Sequence, residues 1–321
     1  MSLDPFDETH QKAISFYTSR YALATPLFLR PGQKLFVGSK EHRICRFCSR
    51  QKPEVTFRQK AHAIPELLGN KVLFSYYECD ACNGNFGRGI ENDLGNWSKV
   101  SRSFARIAGK NGVPSLYKSA KQPGWSIRYD PKSGHDIKQY EHDPAFEVDE
   151  VNQRIIFHLV RDPYTPVAVL KAFVKVALTL MPEEEISQFS EAIKWIGEIG
   201  HSKSFLDKFP LIWTFLPGHM PNDLITVWLL RRKPTLSDVP YAFMILAYGN
   251  DVFQVAIPSL QQDQIINGKN MTIPPFPTPG SPNAERYGRG ITRMLDLTGT
   301  SVVRGEKERY VMRYEAKTDP V

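Results

Sequence analysis

The chain has 321 residues, 41% hydrophobic and 23% charged, an ordinary globular composition with room for two or three small domains. No apolar run reaches the ~18 residues a membrane span needs, which excludes a helical membrane protein, and no apolar leader opens the chain, so a cytoplasmic setting with reduced thiols is expected. The net charge is +7, and 13 Lys+Arg against 7 Asp+Glu between Lys40 and Lys110 place +6 of it on one stretch, which suits a polyanionic partner.

Residues 1–40 read as a lead segment. DPFDETHQKAISFYTSRYAL predicts a short helix and QKLFVGS a strand, and neither carries chemistry. The next stretch, 41–112, holds all four cysteines of the chain as two C-x-x-C pairs, Cys45/Cys48 and Cys79/Cys82, thirty residues apart. Two thiolates at this spacing can face one tetrahedral ion across a tight turn, and two pairs complete four sulfur ligands. A Zn²⁺ site is therefore expected in preference to two disulfides, inert core thiols or a redox pair. Between the pairs, VTFRQKAHAIP predicts a strand ending at His62. The turn signal LLGN follows, and KVLFSYYECD predicts a second strand before a helix or loop begins after Cys82. Asn70 is expected to order that turn, either through its side chain or as its left-handed residue.

The run Cys45, Cys48, His62, Ile64, Pro65, Glu66, Leu68, Gly69, Cys79, Cys82, Asn83, Phe86 and Gly87 resembles the zinc-stapled branch of the HNH, or ββα-metal, nucleases. Its spacing is also similar to that of phage-type Holliday-junction resolvases. The resemblance covers about residues 41–100. It implies a phosphodiesterase in which His62 acts as general base and Asn83 holds one Mg²⁺ or Mn²⁺ ion, with DNA as substrate and RNA as the other polymer of the same chemistry. One departure stands out. Most of that superfamily carries an acid just before the histidine, where this chain has Ala61. A hard cation prefers carboxylate and water oxygens, so a substitute is required. Glu91, near two helical turns beyond Asn83, and Glu66, one turn beyond His62, are the favoured acids, with Asp93 a third; Gly84, Gly87 and Gly89 argue against an unbroken helix between Asn83 and Glu91.

Arg43, Arg46, Arg50, Arg58, Lys60 and Arg88 surround this site in sequence and are expected to neutralise phosphates, the alternative being a solvated basic face. After Asp93, LGNWSKVSRSFARIAGK predicts a helix with Lys99, Arg102, Arg106 and Lys110 on one face and Trp97, Val100, Phe104 and Ile107 on the other.

A boundary near residue 113 opens an expected separate α+β domain, 113–321. WSIRYD, AFEVDEV and RIIFHLV predict strands. PYTPVAVLKAFVKVALTLMP is the clearest helix, with Thr165 as cap, Pro166 in its first turn and Pro182 beyond its end. It is apolar nearly all round apart from Lys171 and Lys175, which are expected to snorkel from its edge. EEEISQFSEAIKWIGEIG predicts an amphipathic helix, and LIWTFLP, DLITVWLLRR, YAFMILAYG and DVFQVAIP four strands, the last two joined at Gly249-Asn250. IPPFPTPGSPNAERYGRG reads as a linker, and the tail as one more strand pair. The expected architecture is α+β: an N-terminal zinc-stapled ββα-metal module, then a domain with a mainly antiparallel sheet and two helices. That domain would select substrate, self-associate into a homodimer or sense a signal such as a cyclic nucleotide. A zinc-dependent nucleic-acid binder with a decayed site is the competing reading, and Ala61 favours it. A role against foreign DNA rests on analogy alone.

Overall fold

The computed structural model describes residues 8–117, 124–138, 146–207, 211–266, 271–277 and 284–314. Helix α1 (Glu8–Arg20) runs directly into strand β1 (Tyr21–Leu29). The sequence reading gives β1 no strand, and Pro26 is what weakens its signal. β1 takes the outer edge of its sheet, where a missing ladder donor is tolerated.

Three short strands follow: β2 (Leu35–Val37), β3 (Ala61–His62) and β4 (Leu73–Ser75). They form a sheet in the order β2-β4-β3, with β2 parallel and β3 antiparallel to β4. Helices α2 (Asp80–Arg88), α3 (Ile90–Trp97) and α4 (Lys99–Phe104) come next. Gly89, at φ −102° and ψ −104°, interrupts the path from α2 to α3, the break its glycines foreshadow.

Strands β5 (Leu116–Tyr117), β6 (Ser126–Asp130) and β7 (Gly134–Lys138) make one antiparallel sheet. Strands β8 (Phe146–Asp149) and β9 (Arg154–Val160), both expected, pair as an antiparallel hairpin. Helix α5 (Pro166–Leu180) has the expected bounds. The next predicted helix is instead a 3₁₀ segment (Glu183–Phe189) followed by α6 (Ser190–Gly197). Strands β10 (Leu211–Phe215), β11 (Ile225–Arg232), β12 (Ala242–Tyr248), β13 (Asp251–Ile257) and β14 (Ile291–Leu295) join β1 in a six-stranded antiparallel sheet, ordered β1-β11-β12-β13-β10-β14. The tail supplies one strand, β15 (Lys307–Arg313), which pairs with β9. The expected linker at 273–290 lies partly outside the described residues.

Central strand β13 is buried at all seven positions because both faces of the sheet are covered. On one face Phe253 packs on Phe173 of α5, with ring centroids 4.8 Å apart, and on Trp97 of α3 at 5.7 Å. On the other, Gln254 donates to Tyr17 Oη at 2.6 Å and accepts from the Phe276 amide at 2.6 Å. One apolar core thus takes in Tyr17 of the lead, Ile64, Leu68 and Leu94 of the zinc-stapled stretch, and α5 with the large sheet. The expected boundary near residue 113 does not divide two cores. Within the expected lead, β1 joins the large sheet and β2 the small one.

Helix α5 is gripped along its length by the zinc-stapled stretch. At its N-terminus the Thr165 backbone N–H donates to Asp93 Oδ1, while the Thr165 hydroxyl makes no capping bond. At its middle, Lys175 Nζ lies 2.9 Å from Glu78 Oε2 and 3.0 Å from Glu91 Oε1. Beyond its C-terminus the Arg46 guanidinium donates to the carbonyls of Leu178, Thr179 and Met181 at 2.7, 3.1 and 2.8 Å. An acid at the start and a cation at the end both oppose the helix dipole. Lys171 and Lys175 are therefore not snorkelling. Both are fully buried, and Lys171 donates to the Glu198 carbonyl at 2.8 Å over the Trp195 ring. Among the described residues, no helix is long and apolar enough to cross a membrane.

Candidate active site

The two C-x-x-C turns meet. The sulfurs of Cys45, Cys48, Cys79 and Cys82 all lie within 4.8 Å of one another, and none is in a disulfide. The first turn is closed by Ser49 N–H donating to the Cys45 carbonyl at 2.7 Å, with Ser49 at φ 58°. The second is the start of α2. The Cys82 thiol, hydrogen bonded to the Cys45 sulfur, is pushed well up, and burial pushes Cys79 up to about 11. Four thiolates this close coexist only around a cation, so the donor set fits Zn²⁺. Val55 and Phe57 pack on the cysteines to form a small satellite core.

The start of α2 is tied to the segment that leads into β3. Asp80, in the first turn of α2, accepts from Thr56 Oγ1 at 2.5 Å and from the amides of Arg58 and Gln59 at 3.0 and 2.8 Å. These bonds hold 56–59 outside any strand, so the long strand expected before His62 shrinks to Ala61–His62. β3 pairs with β4 in the register Ala61↔Ser75 and His62↔Phe74. The connecting turn is organised by the buried Asn70. Its amide donates to the carbonyls of Ile64 and Leu73 at 2.7 and 2.8 Å, and its Oδ1 accepts from the amides of Val72 and Leu73. Gly69, at φ 94°, is the left-handed residue.

This frame presents His62 half-buried, its ring centroid 4.7 Å from that of Phe74. Its Nε2 lies 3.9 Å from Glu66 Oε2. Burial lowers the pKa of His62 below its ordinary value, outweighing the upward pull of Glu66 and Glu91. The imidazole is thus neutral near pH 7, as a general base must be. Glu66 is bonded to Lys71 at 2.8 Å, and Lys71 also donates to the Gly109 carbonyl. Asn83, in the first turns of α2, donates from its amide to Gln59 Oε1 at 2.9 Å. Glu91 is held by Lys175, and Asp93 by the Thr165 amide. The donor types of Asn83, Glu66 and Glu91 suit a hard cation, yet each of the two glutamates already faces a lysine. Among the described residues, the four cysteines are the one group of three or more acidic, thiol or imidazole side chains drawn together for a metal. Ala61 is buried beside His62 and offers no ligand.

The basic residues divide. Arg50, Arg58, Lys60 and Arg88 are exposed, with Arg88 bonded to Asn85. Arg43 is half-buried and stands 4.4 Å from the Tyr76 ring centroid. Arg46 is not free for phosphate, because it binds the end of α5 and stacks 3.7 Å from the Tyr77 ring centroid. Arg102 does not lie on a basic surface face either. It is buried and donates to Ser98 Oγ and to the carbonyls of Leu67 and Gly95. Sequence spacing missed Lys175, Glu78 and Lys71. A lysine in an otherwise apolar helix was the available sign of the first.

The family model described as HNH endonuclease matches residues 45–98. No curated protein and no solved structure matches the chain.

Proposed function

We propose, from the match of residues 45–98 to the HNH endonuclease family model, that the protein is a metal-dependent endonuclease hydrolysing phosphodiester bonds of DNA. The observation that carries the reading is His62, a half-buried, neutral imidazole held by β3 beside Phe74 and Glu66. His62 takes a proton from the attacking water through the ring nitrogen that faces the phosphate. Arg50, Arg58 and Arg88 neutralise flanking phosphates. Asn83, through its carbonyl oxygen, and Glu91 or Glu66 would hold a Mg²⁺ or Mn²⁺ ion, which would supply Lewis-acid stabilisation of the leaving 3′-oxygen. Zn²⁺ on the four cysteines is structural.

A second reading is a nucleic-acid binder with a decayed site. It is favoured by Ala61 together with the lysines already seated on Glu66 and Glu91. Plasmid nicking separates the two. The enzyme nicks with added Mg²⁺ or Mn²⁺ and loses the activity in His62→Ala; the binder shows no nicking in either form while retaining affinity.

A further inference from the structure

One face of the small sheet packs on the core, and the other carries an aromatic row in which Phe36 is exposed, Tyr76 half-buried and Phe74 buried. Phe36 of β2 stacks on Phe74 of β4, with centroids 5.5 Å apart and planes at 29°, and on Tyr76 at 4.8 Å and 11°. Phe74 in turn meets the His62 ring. Arg43 covers the far side of this row from above Tyr76, and the Lys34 ammonium stands 5.9 Å from the Phe74 centroid. Arg43 is fixed there by donating to the carbonyls of Lys40 and Phe57 at 3.2 and 2.9 Å. The result is a continuous row, Arg43–Tyr76–Phe36–Phe74–His62, ending on the imidazole. β2 is a sheet edge, and Phe36 is 38% exposed, a large aromatic left facing solvent. Beside the row lies a cleft of about 320 Å³, lined by Phe36 and Tyr76 with Arg43, Arg58 and Lys60 around it and Glu78 among its walls.

We propose that this face is a stacking platform for unpaired bases, so that the substrate is single-stranded or locally unpaired nucleic acid rather than continuous duplex. Aromatic faces and arginine planes bind nucleobases that are not already stacked in a helix, and they do so with little regard to sequence. The cations match the phosphates that accompany such bases. A strand laid along the row brings its backbone to His62. That last step rests on the nuclease reading; the platform itself does not.

The test is therefore binding rather than cleavage, without added Mg²⁺ or Mn²⁺, by fluorescence anisotropy on the full-length protein. The probes are a labelled mixed-sequence single-stranded DNA, its RNA counterpart, the duplex, and an abasic oligonucleotide of equal length. The single strand should bind tighter than the duplex, and the abasic probe should lose roughly tenfold or more, the usual worth of stacking on an aromatic side chain. Phe36→Leu and Tyr76→Leu keep apolar bulk and remove the ring; each should weaken single-strand binding by about the same factor and leave the abasic probe unchanged. The DNA and RNA arms show which polymer the platform takes. Equal affinity for single strand, duplex and abasic probe, or parental binding by Phe36→Leu, would overturn the platform. Loss of cleavage with stacking intact would instead count against the nuclease.

Discussion

Lys175→Met removes the one positive charge that the buried Glu78 and the half-buried Glu91 share. Lys175 is 0% exposed, and its ammonium lies 2.9 Å from Glu78 and 3.0 Å from Glu91. Burial would push its pKa down, but the two acids hold it above the ordinary lysine value. One ammonium cannot fully compensate two carboxylates, and Glu78 is the one that yields. Burial pushes it up to about 7 even with the lysine beside it. Methionine retains an apolar stem of similar length and deletes the ammonium, which stands 5.5 Å from the Phe86 ring centroid. Breaking a buried ion pair by removing one partner costs about 3–5 kcal/mol, a large part of a typical domain's total stability. The cost depends on pH in a fixed direction. A carboxyl whose folded pKa is raised keeps its stability contribution below the unfolded value near 4.5 and loses it as pH climbs through about 7. Without the lysine that loss deepens, so Lys175→Met should be hurt more at pH 8 than at pH 5. Urea unfolding followed by tryptophan fluorescence, with zinc release recorded in parallel, measures this. Because α5 is gripped by the zinc-stapled stretch, both signals should move together to lower urea. The double variant Glu78→Gln/Lys175→Met should recover part of the loss. A deficit under about 1 kcal/mol at pH 8, or one equal at pH 5, would refute the reasoning.

Other outcomes follow from the same geometry. Protein purified without chelator should contain one zinc per chain by elemental analysis, and Cys79→Ser should lose metal and unfold the 41–100 stretch together, since metal-binding energy here is folding energy. Arg58→Ala should lower the salt slope of DNA binding by about 0.9, the share of a single neutralised phosphate, at unchanged stability. Arg46→Ala should do the reverse, lowering the urea midpoint and sparing the slope, because its guanidinium serves α5. Cleavage should fall on the acid side as His62 gains a proton, with the midpoint below the ordinary histidine value because burial lowers its pKa; a midpoint above it would contradict that environment.

Several of these features were legible in the chain. The two C-x-x-C pairs announce their cluster because thiol spacing is a local property, and α5 announces its bounds through Thr165, Pro166 and Pro182. What the sequence hides is mostly long-range. Lys175 finds Glu91 84 residues away, and no local pattern distinguishes that from snorkelling. Arg46 and Arg102 lie where charge suggests surface, but helical or loop spacing gives a face and not its environment. The strand before His62 is short because Asp80, 21 residues further on, takes the Gln59 amide for a side-chain bond. β1 stays unread because its partner β11 lies far downstream, and Pro26 masks its own half of the pair. The core shared across the expected boundary follows from the same cause: a boundary placed near residue 113 cannot register that Trp97 and Phe173 pack together.

The most direct test of the account is the cleavage rate of His62→Ala against the parent protein, in Mg²⁺ or Mn²⁺, on a substrate both bind. The substitution removes the proposed base, so zinc content and urea midpoint should persist while cleavage of bound substrate drops by roughly 10²–10⁴-fold. Added metal should not restore it, whereas Asn83→Ala, which loses a ligand, should recover in part at high Mn²⁺. A His62→Ala protein that cleaves as fast as the parent would contradict the account.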